Sequence, residues 1–361
     1  MPEIHRLTPN ATRLNDDFAA RLIRWHKRHG RHDLPWQNTR DPYRVWLSEI
    51  MLQQTQVATV LPYYQRFLER FPTLAALAAA PVDAVMALWS GLGYYARARN
   101  LHACAQAVLG AHQGKFPRDP DVIAGLPGIG RSTANSIATF CFGAQAPIMD
   151  GNVKRVLSRV LAWDQDLAVK THERQLWDAA NHLVPEKAKD MPAYTQGLMD
   201  LGATVCSPRK PSCLMCPWMD LCGARLTDEP ERFPVKSRKL KRSERASWPL
   251  WLEWQEQVWL RQMPDTGIWA GLWTMPLFDT ESDLLSMVEL GGAEAEPQPR
   301  IKHVLTHLDW WLQPHRVVLQ QEPAAALMQA LGQRDSSGRW VPLNRLHEWG
   351  LPAPFKKMLV G

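Results

Sequence analysis

With 361 residues, 45% of them hydrophobic and 22% charged, the chain has the length for two or three domains and too much apolar surface to stay disordered. A formal charge of +6 would attract a polyanion wherever the excess gathers on one face, but does not by itself name one. No apolar run reaches the ~18 residues of a membrane span, and Glu3, Asp16 and Asp17 break any signal-like start, so no membrane segment and a cytoplasmic address are expected.

From about Asp16 to Ala224 apolar residues recur at spacings of three and four, as in the stripe Val57, Val60, Leu61, Tyr64, Phe67, Leu68 and Phe71. About ten short helices are predicted. Asp41-Pro42 opens one, Pro81 and Gly91-Leu92-Gly93 separate others, and Gly143 closes one.

In chain order, the first chemistry-bearing residue is Glu49, an acid flanked by apolar neighbours in Trp46–Thr55. Partial burial would raise its pKa and keep a proton available near neutrality, although the pattern also fits an ordinary surface glutamate. The run Leu126-Pro127-Gly128-Ile129-Gly130-Arg131-Ser132-Thr133-Ala134 then sets two glycines before a helix. Backbone amides can there aim at a phosphate oxygen, with Leu126 and Ile129 as packing anchors, which reads as a helix-hairpin-helix motif.

Asp150 follows in Pro147–Arg155, just before a helix that Asn152 could begin. A helix start would lower its pKa and hold it ionised, whether it serves as a plain cap or in chemistry. An acid and an anion are the pair that glycosidic cleavage at a nucleotide needs: one makes the base a better leaving group, the other steadies an oxocarbenium-like sugar.

Four of the six cysteines, Cys206, Cys213, Cys216 and Cys222, fall within seventeen residues. Such clustering argues for a metal site over disulfides, and the spacing leaves zinc and a [4Fe–4S] cluster both open. Cys104 and Cys141 sit among apolar residues and are read as core. Next, Leu226–Trp248 carries Pro230, Pro234 and the basic residues Lys236, Arg238, Lys239, Lys241, Arg242 and Arg245, and is read as an exposed linker over 226–247. Beyond it, Trp248–Trp254, Gln257–Gln262 and His303–Leu312 read as short strands of an α+β domain.

The segments Ser48–Thr55, Gly91–Asn100 and the cysteine spacing resemble the adenine DNA glycosylase (MutY) family of the helix-hairpin-helix, endonuclease III superfamily, over about Leu34 to Cys222. That resemblance implies a mainly α N-terminal part with an iron–sulfur cluster loop, then a C-terminal α+β MutT-like domain. It divides the chain into a six-helix barrel at 34–146, an iron–sulfur domain from 1–33 and 147–225, and lesion recognition at 248–361.

By the same likeness Glu49 protonates adenine, Asp150 stabilises or traps the sugar cation, and Ser132 and Asn152 support them. The four cysteines hold a [4Fe–4S] cluster. Gln54 and Tyr94 are wedges, Thr55 meets the opposite base, and Leu126, Gly128, Gly130 and Arg131 grip DNA. Trp36 and Gln196 help form the base pocket. Thr306 and His307, in Leu305-Thr306-His307, match a Phe-Ser-His loop that reads 8-oxoguanine, with Leu305 lacking the aromatic face. The implied partner is double-stranded DNA with A·8-oxoG or A·G mispairs, met by a monomeric, bacterial protein.

Ser132 stands where the superfamily's lyases carry a lysine, and serine forms no Schiff base, so a monofunctional enzyme that leaves an abasic site is expected. The C-terminal region shows no G-x5-E-x7-R-E-x2-E-E box, which disfavours nucleotide hydrolysis. An endonuclease III-like pyrimidine glycosylase/lyase and a non-catalytic iron–sulfur DNA-binding protein are the rival readings.

Overall fold

The computed structural model describes residues 17–237 and 241–360, so Glu3, Asp16, Arg238 and Lys239 lie outside the described residues. Helices run α1 (Phe18–His29), α2 (Pro42–Leu52), α3 (Val57–Arg70), α4 (Leu74–Ala79), α5 (Val82–Trp89), α6 (Ala96–Ala111), α7 (Pro120–Ala124), α8 (Arg131–Phe142), α9 (Gly151–Val160), α10 (Lys170–His182), α11 (Met191–Thr204) and α12 (Gly223–Leu226). The sequence predicted about ten. Elements of four to six residues, such as α4, α7 and α12, are too short to display a periodic stripe. None of the helices among the described residues is long and apolar enough to cross a membrane.

Beyond them come β1 (Ser243–Trp254), β2 (Gln257–Gln262), β3 (Trp273–Thr274), β4 (Leu277–Phe278), α13 (Glu281–Glu289), β5 (Glu296–Pro297), β6 (Ile301–Val304), β7 (Leu308–Leu312), β8 (His315–Leu319), α14 (Ala325–Arg334), β9 (Arg339–Pro342) and α15 (Ala353–Val360).

Two compact units result: Met1–Gln54 with Ala107–Lys239, and Thr55–Gln106 with Leu240–Gly361. The second groups a stretch of the expected helical barrel with the C-terminal region.

In the first unit the helix boundaries follow local chemistry. Asp41 caps α2 by accepting from the Tyr43 N–H at 3.0 Å, with Pro42 at the first helical position. Gly143 ends α8 at φ +74°, in the left-handed region where a Cβ is costly. The core is built from Phe18 and Leu22 of α1, Val156 and Leu157 of α9, and Leu198 and Leu201 of α11, closed by Trp218 stacked at 4.1 Å on Phe18. Helix α11 packs on both α1 and α9, and α2 packs on α8.

In the second unit β1 is the central strand. It pairs in parallel with β7 and with β8, and antiparallel with β2 and β4, so the sheet is mixed. Leu284 and Val288 of α13 and Leu327 and Leu331 of α14 cover Leu250, Leu252 and Val317 on one face. The helical segment is tied to the sheet region by polar contacts. Asp83 accepts from Gln262 Nε2 and Trp273 Nε1, each at 3.4 Å, and the Ser90 hydroxyl donates to the Leu351 carbonyl at 2.8 Å.

Most described residues of the stretch read as an exposed linker are exposed, but it is anchored at particular points. Phe233 is buried, the Leu167 N–H donates to the Val235 carbonyl at 3.1 Å, and β1 already starts at Ser243, where it pairs with Leu308. Prolines and charges dominated its composition and concealed the anchors. Arg242 and Arg245 are paired with Asp309 and Asp279.

Candidate active site

Glu49 lies on α2 and Asp150 immediately precedes α9, close enough for the Asp150 charge to act on the Glu49 carboxyl. Burial pushes the Glu49 carboxyl up to about 7; the Ser136 hydroxyl pulls it down and the Asp150 charge pushes it further up. This is the raised acid that the sequence led us to expect.

Asp150 departs from expectation. It is itself the cap of α9, which begins at Gly151 rather than Asn152, and its Oδ1 accepts from the Val153 N–H at 2.7 Å. Its pKa is nevertheless raised, because burial outweighs the N–H groups of Val153 and Asn152 and the charges of Arg155 and Lys154. A helix start favours the anion, but here the loss of hydration is the larger effect.

The segment before Asp150 is held by Ser132, whose Oγ accepts from the Met149 N–H at 2.9 Å. Asn152 Oδ1 accepts from Arg155 Nη2 at 2.9 Å, and the same guanidinium donates to the carbonyls of Gly202 at 2.6 Å and Cys206 at 2.8 Å. Trp36 and Gln196 are both buried. Gln196 Nε2 donates to Asp200 Oδ1 at 2.9 Å, and Asp200, 1% exposed, also accepts from Arg31 Nε and Nη2 at 2.8 and 2.6 Å. Sequence reasoning missed Arg31, Asp200 and Ser136. A lone acid inside the apolar run Gly197–Leu201 was the available signal for Asp200.

The hairpin has the anticipated form. Leu126 and Ile129 are buried anchors, Gly128 turns at φ +73°, and Gly130 precedes α8. Arg131 is exposed, with its guanidinium 4.2 Å from the Trp177 ring centre. Gln54, in the same unit, is exposed at φ +55°.

In the second unit Tyr94 has φ +48° and is 47% exposed, so a strained turn presents an aromatic ring. Its hydroxyl lies 3.2 Å from Thr306 Oγ1, and Thr306 and His307 are exposed at the turn between β6 and β7. Thr55 Oγ1 accepts from Arg97 Nη2 at 3.1 Å.

Cys206, Cys213, Cys216 and Cys222 line one cavity with Val156, Arg159 and Trp218. Four cysteine sulfurs around one cavity are the donor set that a thiolate-ligated centre would need. Arg159 donates to Cys206 Sγ at 3.4 Å and to the carbonyls of Ser207 and Pro208 at 2.6 and 2.8 Å. A soft donor set with a buried guanidinium beside it fits an anionic thiolate-ligated cluster.

Comparison with known proteins agrees with this geometry. Residues 47–182 match the HhH-GPD superfamily of base excision DNA repair proteins, 206–222 the iron–sulfur binding domain of endonuclease III, and 248–360 the NUDIX domain. A thermostable thymine-DNA glycosylase superposes with a TM-score of 0.52 at 28% identity, over 60% of this chain and 98% of its own. The fold and site thus define a helix-hairpin-helix DNA repair protein that carries a [4Fe–4S] cluster and a NUDIX-type domain.

Adenine DNA glycosylase of Buchnera aphidicola subsp. Baizongia pistaciae is 34% identical over 95% of both chains. That of Homo sapiens is 32% identical, over 94% of this chain and 73% of its own. The chain belongs to the adenine DNA glycosylase family.

Proposed function

We propose that this chain hydrolyses the N-glycosidic bond of adenine in double-stranded DNA, preferring adenine opposite 8-oxoguanine to A·G and A·C, and acts as a monomer at a cytoplasmic, nucleoid-associated address. The observation that carries the reading is the raised Glu49 carboxyl standing beside Asp150. Two neighbouring carboxyls do not both ionise freely, and their surroundings assign the proton. Two N–H groups and two cations pull Asp150 towards ionisation, against one hydroxyl on Glu49, so Glu49 holds it.

Glu49 then gives its proton to a ring nitrogen of the extruded adenine as the bond to the sugar breaks and its electron pair leaves with the base. Asp150 faces the sugar cation until water adds and gives up a proton to the Glu49 carboxylate, Ser132 and Asn152 keep the start of α9 in place, and Trp36 and Gln196 border the base. Gln54 and Tyr94 fill the vacated stack, and Thr55 meets the opposite base. Leu126, Gly128, Gly130 and Arg131 present the hairpin to phosphates, while Thr306 and His307 read 8-oxoguanine from a domain that recognises without hydrolysing. The four cysteines ligate the [4Fe–4S] cluster and so brace the basic loop containing Arg209 and Lys210.

Single-turnover excision from duplexes carrying A·8-oxoG, A·G, A·C and T·8-oxoG tests the reading. Fastest release of adenine from A·8-oxoG, with strands left intact until alkali is added, is the expected result. Release of a pyrimidine or nicking by the protein alone, surviving borohydride controls, would favour an endonuclease III-type lyase.

A further inference from the structure

We propose that Ser136 is a positioning residue for Glu49: its hydroxyl donates to the Glu49 carboxylate once that group has given up its proton, and thereby sets the pH at which the acid works. This deepens the proposed function and rests on Glu49 being the acid.

The buried face of α8 supplies the argument. Ser132, Asn135 and Thr139, spaced three and four apart, share one side and hold the incoming segment 144–149. Ser132 Oγ accepts from the Met149 N–H, Asn135 Nδ2 donates to the Pro147 carbonyl at 2.6 Å, and Thr139 Oγ1 donates to those of Ala144 and Ala146 at 3.1 and 3.2 Å. Thr133 faces α2 instead, where its Oγ1 accepts from Gln53 Nε2 at 3.4 Å. One turn further along α8 stands Ser136, and one turn back along α2 stands Glu49, so the packing of the pair brings these two together.

Ser136 is 1% exposed, and its Oγ makes no well-formed hydrogen bond to any described group. A buried hydroxyl left in that state costs folding free energy, and a role in the reaction would account for its being kept. The group it reaches is the Glu49 carboxyl, whose pKa it draws down. Hydrogen bonds that serve catalysis are often long in the resting protein and close as charge develops. When the proton moves from Glu49 to the base, the carboxylate left behind faces Asp150 at the start of α9 and Cys141 of α8. Cys141, its thiol pushed up to about 12, stays neutral. Lys154 and Arg155 act on Asp150. The Ser136 O–H keeps its own proton and supplies the compensating dipole.

The test is the pH profile of single-turnover adenine excision from an A·8-oxoG duplex, with folding followed by melting and by cluster absorbance near 400 nm. In the unaltered protein the rate declines as pH rises through about 7, the Glu49 value. Ser136→Ala should move that limb up by about one pH unit and lower the acid-side plateau about tenfold, and Ser136→Thr should restore both. A limb that stays in place in a folded Ser136→Ala protein overturns the assignment. Should Ser136→Ala fail to fold, Ser136→Cys, of similar volume but a weak donor, must show the limb displaced upward, and an unmoved limb there overturns it equally. Glu49→Gln is the control for the underlying reading. If it keeps full activity, the role of Glu49 is wrong; if it is inactive while the limb of Ser136→Ala is unmoved, only the role of Ser136 falls.

Discussion

Glu49 owes its value as an acid to poor solvation. Its carboxyl titrates near 7 because burial and the Asp150 charge disfavour the anion, and the same fact makes it a burden on folding. A carboxyl whose folded pKa is raised contributes stability that is fully present below its unfolded value of about 4.5 and is lost as pH rises through about 7. Glu49→Gln should therefore cost at least ~100-fold in excision rate with DNA binding retained, and should raise the melting temperature at pH 8 more than at pH 5. Equal melting shifts at the two pH values would contradict the burial account. Asp150→Asn preserves a good helix cap, so this variant should stay folded yet lose ~100-fold or more in rate. A melting temperature that fell with the rate would instead make Asp150 a structural cap.

Two elements turn local chemistry into a working site. The hairpin before α8 needs Gly128 at φ +73°, where a Cβ is strained. Gly128→Ala should weaken binding to undamaged and mispaired duplexes alike, as expected of a backbone contact that reads no base, and a loss confined to one mispair would refute that role. Helix α9 follows its cap Asp150 and, about two and a half turns on, reaches the cysteine loop through Arg159. That guanidinium is 2% exposed and donates to carbonyls of Ser207, Pro208 and Phe233 and to Cys206 Sγ. Its removal leaves buried acceptors unsatisfied. Arg159→Met should hasten the bleaching of absorbance near 400 nm in air, and an unchanged bleaching rate would show that the loop is self-supporting.

At the scale of the whole molecule, the C-terminal region shares a compact unit with Thr55–Gln106, which carries Tyr94. Trp273 and Gln262 lean on Asp83, Leu351 on Ser90, and a Cβ on Gly350 would strike Met86 at 2.9 Å. Truncation after Lys236 would strip partners from α5 and α6 and uncover Met86. The shortened chain should then melt lower and aggregate sooner than the full one. A truncated protein of unchanged melting temperature would show that the helical segment stands without its covering.

Much of the site is legible in the order of the residues alone. The cysteine cluster lies in a short contiguous segment that carries its own pattern and Leu126–Ala134 encodes its turn through glycine, whereas Glu49 and Asp150 stand out only by resemblance to a family. The abundance of tryptophan is harder to interpret from sequence. In the fold Trp269 stacks on Trp310 at 4.3 Å, and Trp259 and Trp273 are buried in the C-terminal half. Residues whose importance comes from a distant partner leave no sequence signal: Arg31 depends on Asp200, 169 positions away, and Ser136 on Glu49 across two helices.

The sequence by itself determined the helical and mixed halves, the hairpin turn and the four clustered thiols, because periodicity, turn chemistry and spacing are local, whereas family resemblance singled out the two carboxyls. Only the tertiary structure decided that Asp150 is a half-buried cap with a raised rather than lowered pKa, that the stretch after α12 is anchored at Phe233 and Val235, and that part of the helical barrel groups with the C-terminal sheet. Each of these depends on which surfaces exclude water from which, and that is a property of packing between segments far apart in the chain.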